Sequence, residues 1–142
     1  MIPKPTQTLT DLATRIATHI LPNCEAEYAQ ADSGLLVGLL LTTAQEFERS
    51  IECRMQDIND LKNLFGNFAT VLPADIAWEA LLQQQPESFY LSDVNQLHGE
   101  FLDIFIQLHS WAEQTHQVEF ETAAWAFLRR HTERHKYEGV AV

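Results

Sequence analysis

The sequence predicts an all-α protein, an antiparallel bundle of four to five helices with one long central helix. Apolar residues recur at helical spacing in several segments, and no segment alternates apolar and polar residues for long enough to form a strand. Only five glycines and five prolines interrupt the 142 residues, which leaves room for long helices. A chain of this length can bury a core as one unit, so we expect residues 1–142 to form a single helical-bundle domain.

The first helix is short and amphipathic. It is predicted to begin near Thr8 or Thr10, because either hydroxyl could cap free backbone amides, and to end at Pro22. Its apolar residues repeat at helical spacing and are Leu9, Leu12, Ala13, Ile16 and Ile20.

The second helix is the longest and is predicted from Asp32 or Ser33 to about Phe65. Such a helix would be about 50 Å long, more than a compact bundle of this size needs. It therefore either kinks, with Gly34 or Gly38 as the weakest points, or extends one end that another subunit covers. Its heptad seam is apolar except at one arginine and reads Val37, Leu40, Ala44, Phe47, Ile51, Arg54, Ile58, Leu61, Phe65 and Phe68.

Three further helices are predicted in the second half of the chain. Pro73 can open a third helix, because its missing amide hydrogen would be unbonded there anyway. Ser92 or Asp93 is expected to cap a fourth, and a break near His116-Gln117 separates it from a fifth. Basic residues gather at the end of the fifth helix, where cations complement the helix dipole: Arg129, Arg130, Arg134 and Lys136.

The charge distribution restricts the partners of the chain. It has 20 acidic and 9 basic residues, a net charge of −11, and no Lys or Arg between Asn63 and Leu128. Nucleic-acid binding and attachment to an anionic membrane both need a clustered basic surface, so we expect neither. A basic protein partner fits this charge better.

Targeting signals are not evident in the sequence. The amino terminus lacks the pattern of a secretory signal, and the longest apolar run, residues 35–41, is far shorter than a membrane span requires. Cys24 and Cys53 are too few and too far apart for a zinc site or a disulfide framework, so we expect reduced thiols. A cytoplasmic protein is predicted.

Histidines and carboxylates at helical spacing suggest metal binding. His109, Glu113 and His116 stand at i, i+4 and i+7, on one side of the fourth helix, and His131 and His135 stand at i and i+4 on the fifth. Imidazole and carboxylate groups on facing helices can converge on one divalent ion. The alternative is that each histidine borders an apolar face with one ring nitrogen bonded to a carboxylate or to water.

The pair Glu113-x-x-His116 resembles half of a ferritin-like dinuclear site. Such a site uses the motif twice, together with a glutamate from each of two other helices, and this chain has one copy. His109-x-x-x-Glu113 and His131-x-x-x-His135 resemble parts of a hemerythrin-like pattern, but we expect no further helix in residues 136–142 to supply its remaining ligands.

Two functions follow as hypotheses. The first is a helical bundle acting through protein–protein contact, of the adaptor, chaperone or inhibitor type, that self-associates or binds a basic protein. The second is a metal-binding bundle with its site around His109, Glu113 and His116. We expect no enzyme activity, because no phosphate loop, nucleophile elbow or metalloprotease motif is present.

Overall fold

The protein is all-α, as predicted, with one helix much longer than the others. The computed structural model describes Ile2 and residues 4–139, and this part of the chain contains no strand. Its α-helices are α1 (Pro5–Arg15), α2 (Glu27–Asn67), α3 (Trp78–Leu82), α4 (Leu91–Thr115) and α5 (Val118–His135). None of the helices in this part is long and apolar enough to cross a membrane.

The chain divides into two compact units. In the described residues, unit 1 takes in the chain up to Ser50 and the segment from Tyr137 onward, and unit 2 is Ile51–Lys136. Helix α2 contributes residues to both units. The expectation of one domain over residues 1–142 stays a prediction.

Helix α1 begins earlier than the sequence suggested. Pro5 occupies its first turn, where a missing amide hydrogen has no cost. The hydroxyls of Thr8 and Thr10 donate to carbonyl oxygens one turn back instead of capping the helix, at 3.0 Å and 2.9 Å. The helix continues into a π-helical turn over Ile16–Ile20 before the chain turns toward α2.

Helix α2 is an uninterrupted α-helix of 41 residues. At 1.5 Å per residue it is roughly 60 Å long. It begins before Asp32 and Ser33, and Ser33 is buried within it instead of capping its end. Gly34 and Gly38 lie inside the helix without ending it, because the hydrogen bonds on either side hold their backbone in helical geometry.

Helix α3 begins later than predicted, at Trp78 and not at Pro73. The carbonyl oxygen of Pro73 accepts a hydrogen bond of 3.1 Å from the Trp78 indole, which keeps the intervening residues in a turn. At the start of α4, the Asp93 carboxylate accepts a 2.6 Å hydrogen bond from the Ser88 hydroxyl, and no side chain caps the helix.

The break between α4 and α5 falls where it was predicted. His116 follows α4 in the left-handed conformation, with φ of 56° and ψ of 46°. This conformation ends a helix because it turns the next amide back toward the last turn. The Gln117 amide donates to the Ala112 carbonyl at 2.9 Å. Helix α5 then runs antiparallel to α4, because Trp111 meets Phe120 while His98, earlier in α4, meets His131, later in α5.

The hydrophobic core of unit 2 is formed by α2, α3, α4 and α5. Aromatic rings contribute much of it: Phe65 stacks on Phe101 with centroids 6.1 Å apart, and Phe105 meets Phe127 edge to face at 5.0 Å. All four of these rings are at most 3 % exposed. This core aligns the later turns of α2 with α4 and α5, which fixes the positions of the polar side chains described next.

Candidate metal centre

The centre is built around Asp57, a carboxylate on α2 that is fully buried. Asp57 lies one helical turn after Cys53 and one turn before Leu61, and both of these neighbours are buried in unit 2. Because a charge removed from water is costly without partners, a buried carboxylate at this place requires strong hydrogen bonds or a cation.

Three imidazole rings converge on one oxygen of Asp57. The distances to its Oδ2 are 3.0 Å from His98 Nε2, 2.8 Å from His131 Nδ1 and 2.6 Å from His135 Nε2. His98 comes from α4, and the other two share a face of α5 because they are four residues apart. The four ligand-type atoms lie within 4.8 Å of one another.

The other oxygen of Asp57 is held by a guanidinium. Arg134 Nη1 donates to Asp57 Oδ1, and Arg134 Nη2 donates to Asp60 Oδ2 at 2.8 Å. Arg130 Nε also reaches Asp60 Oδ2, at 3.3 Å. Two of the bases at the end of α5, which the sequence analysis assigned to the helix dipole, therefore pair with carboxylates of α2.

The environment keeps Asp57 ionised. Burial by itself raises the pKa of this carboxyl group, but hydrogen bonds from His98, His135 and His131 stabilise the charged form more strongly, and its pKa lies well below the ordinary range. For Arg134, burial lowers the pKa, but its hydrogen bonds to Asp60 and Asp57 outweigh that effect and raise it. The centre therefore contains a permanent carboxylate and a permanent guanidinium.

The arrangement offers the ligands of a transition-metal site. Three imidazole nitrogens and one carboxylate oxygen are a donor set suited to zinc and to neighbouring divalent ions. In a tetrahedral site with bonds of about 2.0 Å the ligand atoms would be about 3.3 Å apart. The three nitrogens lie 2.6 to 3.0 Å from Asp57 Oδ2, and all four ligand-type atoms lie within 4.8 Å of one another. To admit an ion, the rings would have to move away from Oδ2 and bring the four atoms to similar spacings.

The predicted residues of α5 belong to this centre, whereas those of α4 lie elsewhere. His131 and His135 supply two of its four ligand-type atoms. His109 Nε2 is 3.9 Å from Glu113 Oε1, and His116 is exposed at the end of α4. Among residues 2 and 4–139, one group brings three or more potential metal-binding side chains together, and it consists of Asp57, His98, His131 and His135. His109, Glu113 and His116 are not part of it.

His109 instead occupies an aromatic environment. Its ring stacks on Phe105 with centroids 5.8 Å apart and meets Trp125 edge to face at 5.7 Å. Its Nε2 is buried and has no hydrogen-bond partner among the described residues. Spacing along α4 places Glu113 near this ring but cannot bring His116 to it, because the helix ends before His116.

Asp57 and His98 were missed by the sequence analysis. The sequence feature that could have indicated them is an ionisable residue among apolar residues at helical spacing. Asp57 lies between Cys53 and Leu61 on one face of α2, and His98 lies one turn after Val94 on α4. That pattern indicates a buried polar group, although it does not reveal that Asp57 and His98 face each other.

Comparison of the chain with protein-family models, with curated proteins and with solved structures found no significant match.

Proposed function

We propose that this protein binds one divalent transition-metal ion, of which zinc is the best fit, through Asp57, His98, His131 and His135. The observation that supports the proposal is the convergence of three imidazole nitrogens on a single oxygen of a buried carboxylate. These side chains come from three helices, so chance proximity along one helix does not account for them.

Hydrogen bonding alone satisfies this cluster poorly. A carboxylate oxygen has about two lone-pair positions, yet three ring nitrogens point at Oδ2 of Asp57 while Arg134 occupies Oδ1. The rings of His131 and His135 are also close together, with centroids 4.5 Å apart. A divalent ion among these nitrogens could accept one lone pair from each ring, so the three nitrogens would no longer share one oxygen.

The proposed role of the ion is structural. Four protein ligands complete a tetrahedral set and resemble closed zinc sites, whereas catalytic zinc keeps a position for water or substrate. An ion at this place would connect α2, α4 and α5 near the end of α5, and its binding energy would add to the stability of unit 2.

The experiment is metal analysis and titration of the full chain. After removal of bound metal with a chelator, we expect one Zn²⁺ per chain, with affinity reduced by about 100-fold or more in His98→Ala, His131→Ala and His135→Ala. His19→Ala, at an exposed position, is the matched control and should bind like the parent. Circular dichroism checks that each variant is folded.

Two results would contradict the metal site. One is a parent protein that binds no stoichiometric ion. The other is an affinity that survives the three histidine substitutions but is lost in His109→Ala or His116→Ala, which would move the site to α4.

A second function, self-association, is favoured by an exposed apolar face on helix α2. The α2 apolar face consists of five side chains that are 46 to 83 % exposed: Tyr28, Leu35, Leu36, Leu39 and Phe47. At 100° per residue they lie within an arc of roughly 120°. Among its described residues, unit 1 buries only small side chains, namely Ala13, Ser33, Ala44 and Ser50.

We propose that a second copy of the chain covers the α2 apolar face. Burying each of its side chains removes about 60 to 120 Å² from water, roughly 300 to 600 Å² in total. That is about the apolar share of the ~800 Å² that each partner buries in a standard interface. Each copy carries the same face, so a two-fold dimer would bury the α2 apolar face of one copy against that of the other.

Analytical ultracentrifugation over a range of concentrations tests the dimer. Leu39→Glu should shift the protein to a monomer, whereas Ile106→Glu, at an exposed apolar position on α4, should leave the dimer intact. A parent that is monomeric at all concentrations, or a dimer that Leu39→Glu does not weaken, would contradict the proposal. Adaptor, chaperone or inhibitor activity and a basic protein partner stay predictions.

A further inference from the structure

The two oxygens of the Asp57 carboxylate have different surroundings. Oδ2 faces the three histidines, and Oδ1 accepts a hydrogen bond from Arg134. The guanidinium is itself held at two points, because its second nitrogen donates to Asp60 at 2.8 Å, and the Arg134 side chain is only 16 % exposed. Arg134 therefore has little freedom to leave Oδ1.

This arrangement limits how Asp57 can bind an ion. A carboxylate binds a metal through one oxygen or through both, and two-oxygen binding would require Oδ1 to leave the guanidinium. With Oδ1 occupied, Asp57 offers Oδ2 alone, and the three histidines offer one nitrogen each. The protein then supplies four ligand atoms, three of them nitrogen.

The number of ligands bears on which ion is bound. Zn²⁺ favours four ligands in a tetrahedron and binds imidazole well. Mg²⁺ requires a near-octahedral shell of six oxygen-rich ligands, and Mn²⁺ also favours carboxylate, carbonyl and water oxygens over imidazole. This site offers one carboxylate oxygen and cannot supply the second oxygen of Asp57. It therefore discriminates against Mg²⁺ and Mn²⁺.

We propose that Arg134 is a positioning residue that confines Asp57 to one ligand oxygen, holds the ion four-coordinate and thereby selects Zn²⁺ over Mn²⁺. This inference rests on the proposed metal site. It assigns to Arg134 a role in the identity of the ion, separate from its pairing with Asp60.

Arg130 supplies a matched control. It lies one helical turn before Arg134 and contacts Asp60 at 3.3 Å, but the structure gives it no contact with Asp57. Arg130→Lys therefore alters the pairing of Asp60 and leaves Oδ1 of Asp57 held. Arg134→Lys keeps the positive charge but replaces the two-pronged guanidinium with one ammonium, which cannot hold Asp57 and Asp60 in the same planar geometry.

The experiment measures Co²⁺ absorption spectra and the affinities for Zn²⁺ and Mn²⁺ in the parent, Arg134→Lys and Arg130→Lys. Four-coordinate Co²⁺ absorbs visible light much more strongly than six-coordinate Co²⁺. We expect the intense spectrum in the parent and in Arg130→Lys. In Arg134→Lys we expect a weaker spectrum, a loss of about 10- to 100-fold in Zn²⁺ affinity and a smaller ratio of Zn²⁺ to Mn²⁺ affinity.

The outcomes separate this inference from the metal site itself. If the parent binds no stoichiometric Zn²⁺ or Co²⁺, the proposed site is wrong and the role of Arg134 falls with it. If the parent binds Co²⁺ with the weak spectrum of six ligands, the site stands and the inference about Arg134 is overturned. Parent-like spectra and selectivity in Arg134→Lys would also overturn it. If Arg134→Lys does not fold, the Co²⁺ spectrum of the parent is the remaining test of the inference.

Discussion

His98 Nε2 lies 3.0 Å from Asp57 Oδ2, although 41 positions separate the two residues in the chain. The contact joins α2 to α4 inside unit 2, and both side chains are buried. Because Asp57 also contacts two histidines and an arginine of α5, one carboxylate connects three helices.

The first prediction concerns the stability of the metal-free protein. Asp57→Asn removes the charge that Arg134 and the three histidines surround, and a partner left unpaired in a buried network is costly. We expect a loss of about 2–4 kcal/mol in the free energy of unfolding, measured by urea denaturation with a chelator present. Asp103→Asn, at an exposed position on α4, should change it by less than about 0.5 kcal/mol. Equal effects of the two substitutions would mean that the network contributes no stability.

The second prediction concerns acid. The pKa of Asp57 is lower in the folded protein than the value of about 3.9 that is usual in an unfolded chain. The contribution of ionised Asp57 to the stability of the folded protein is therefore present above about pH 4. It is lost as the pH falls toward the lower pKa of the folded state. Urea midpoints of metal-free protein from pH 6 downward should fall more steeply in the parent than in Asp57→Asn. Parallel curves would argue against an ionised, stabilising Asp57.

The third prediction concerns His116. Its left-handed conformation costs a non-glycine residue about 1–2 kcal/mol, and glycine would avoid this cost. Glycine also gives the unfolded chain more conformational freedom, which lowers the gain in stability by about 0.4–1 kcal/mol. His116→Gly should therefore stabilise the protein by about 0.5–1 kcal/mol, measured by thermal or urea unfolding. It should also bind Zn²⁺ like the parent. Loss of the ion in this variant would restore the site on α4 that the spacing had suggested.

The fourth prediction concerns the core next to the centre. Phe101 is fully buried on α4 and stacks on Phe65 of α2, so Phe101→Ala should leave a cavity and cost about 3–5 kcal/mol. Phe89→Ala, where the ring is 72 % exposed, serves as the control and should cost less than about 0.5 kcal/mol. Calorimetric unfolding compares the two, and a mild effect at Phe101 would show that the core relaxes to fill the space.

The helices were predictable because the apolar pattern of a helix depends on residues only three or four positions apart in the sequence. Apolar spacing located the four longer α-helices, and the break at His116-Gln117 was placed correctly without a proline or glycine to mark it. The helix starts were less accurate. Hydroxyl and carboxyl side chains that could cap a helix had other partners: Thr8 and Thr10 bond carbonyls one turn back, and Asp93 accepts from Ser88.

The cluster around Asp57 was half predictable for a related reason. The pair His131 and His135 followed from i, i+4 spacing within α5, which any helix imposes on its own residues. His109, Glu113 and His116 have equally suggestive spacing on α4, but α4 ends before His116, and His109 lies among aromatic rings.

The sequence by itself determined the helical class, the long α2 and the acidic composition, because each depends on composition or on residues close together in the chain. Only the tertiary structure decided that Asp57 faces His98, His131 and His135, and that Arg134 holds its second oxygen. These relationships depend on how α4 and α5 pack against α2, and rotating one helix by a single residue would move a side chain of the cluster by about 100° around its axis. Spacing along one helix contains no information about that rotation, which is set by the packing of rings such as Phe65 on Phe101.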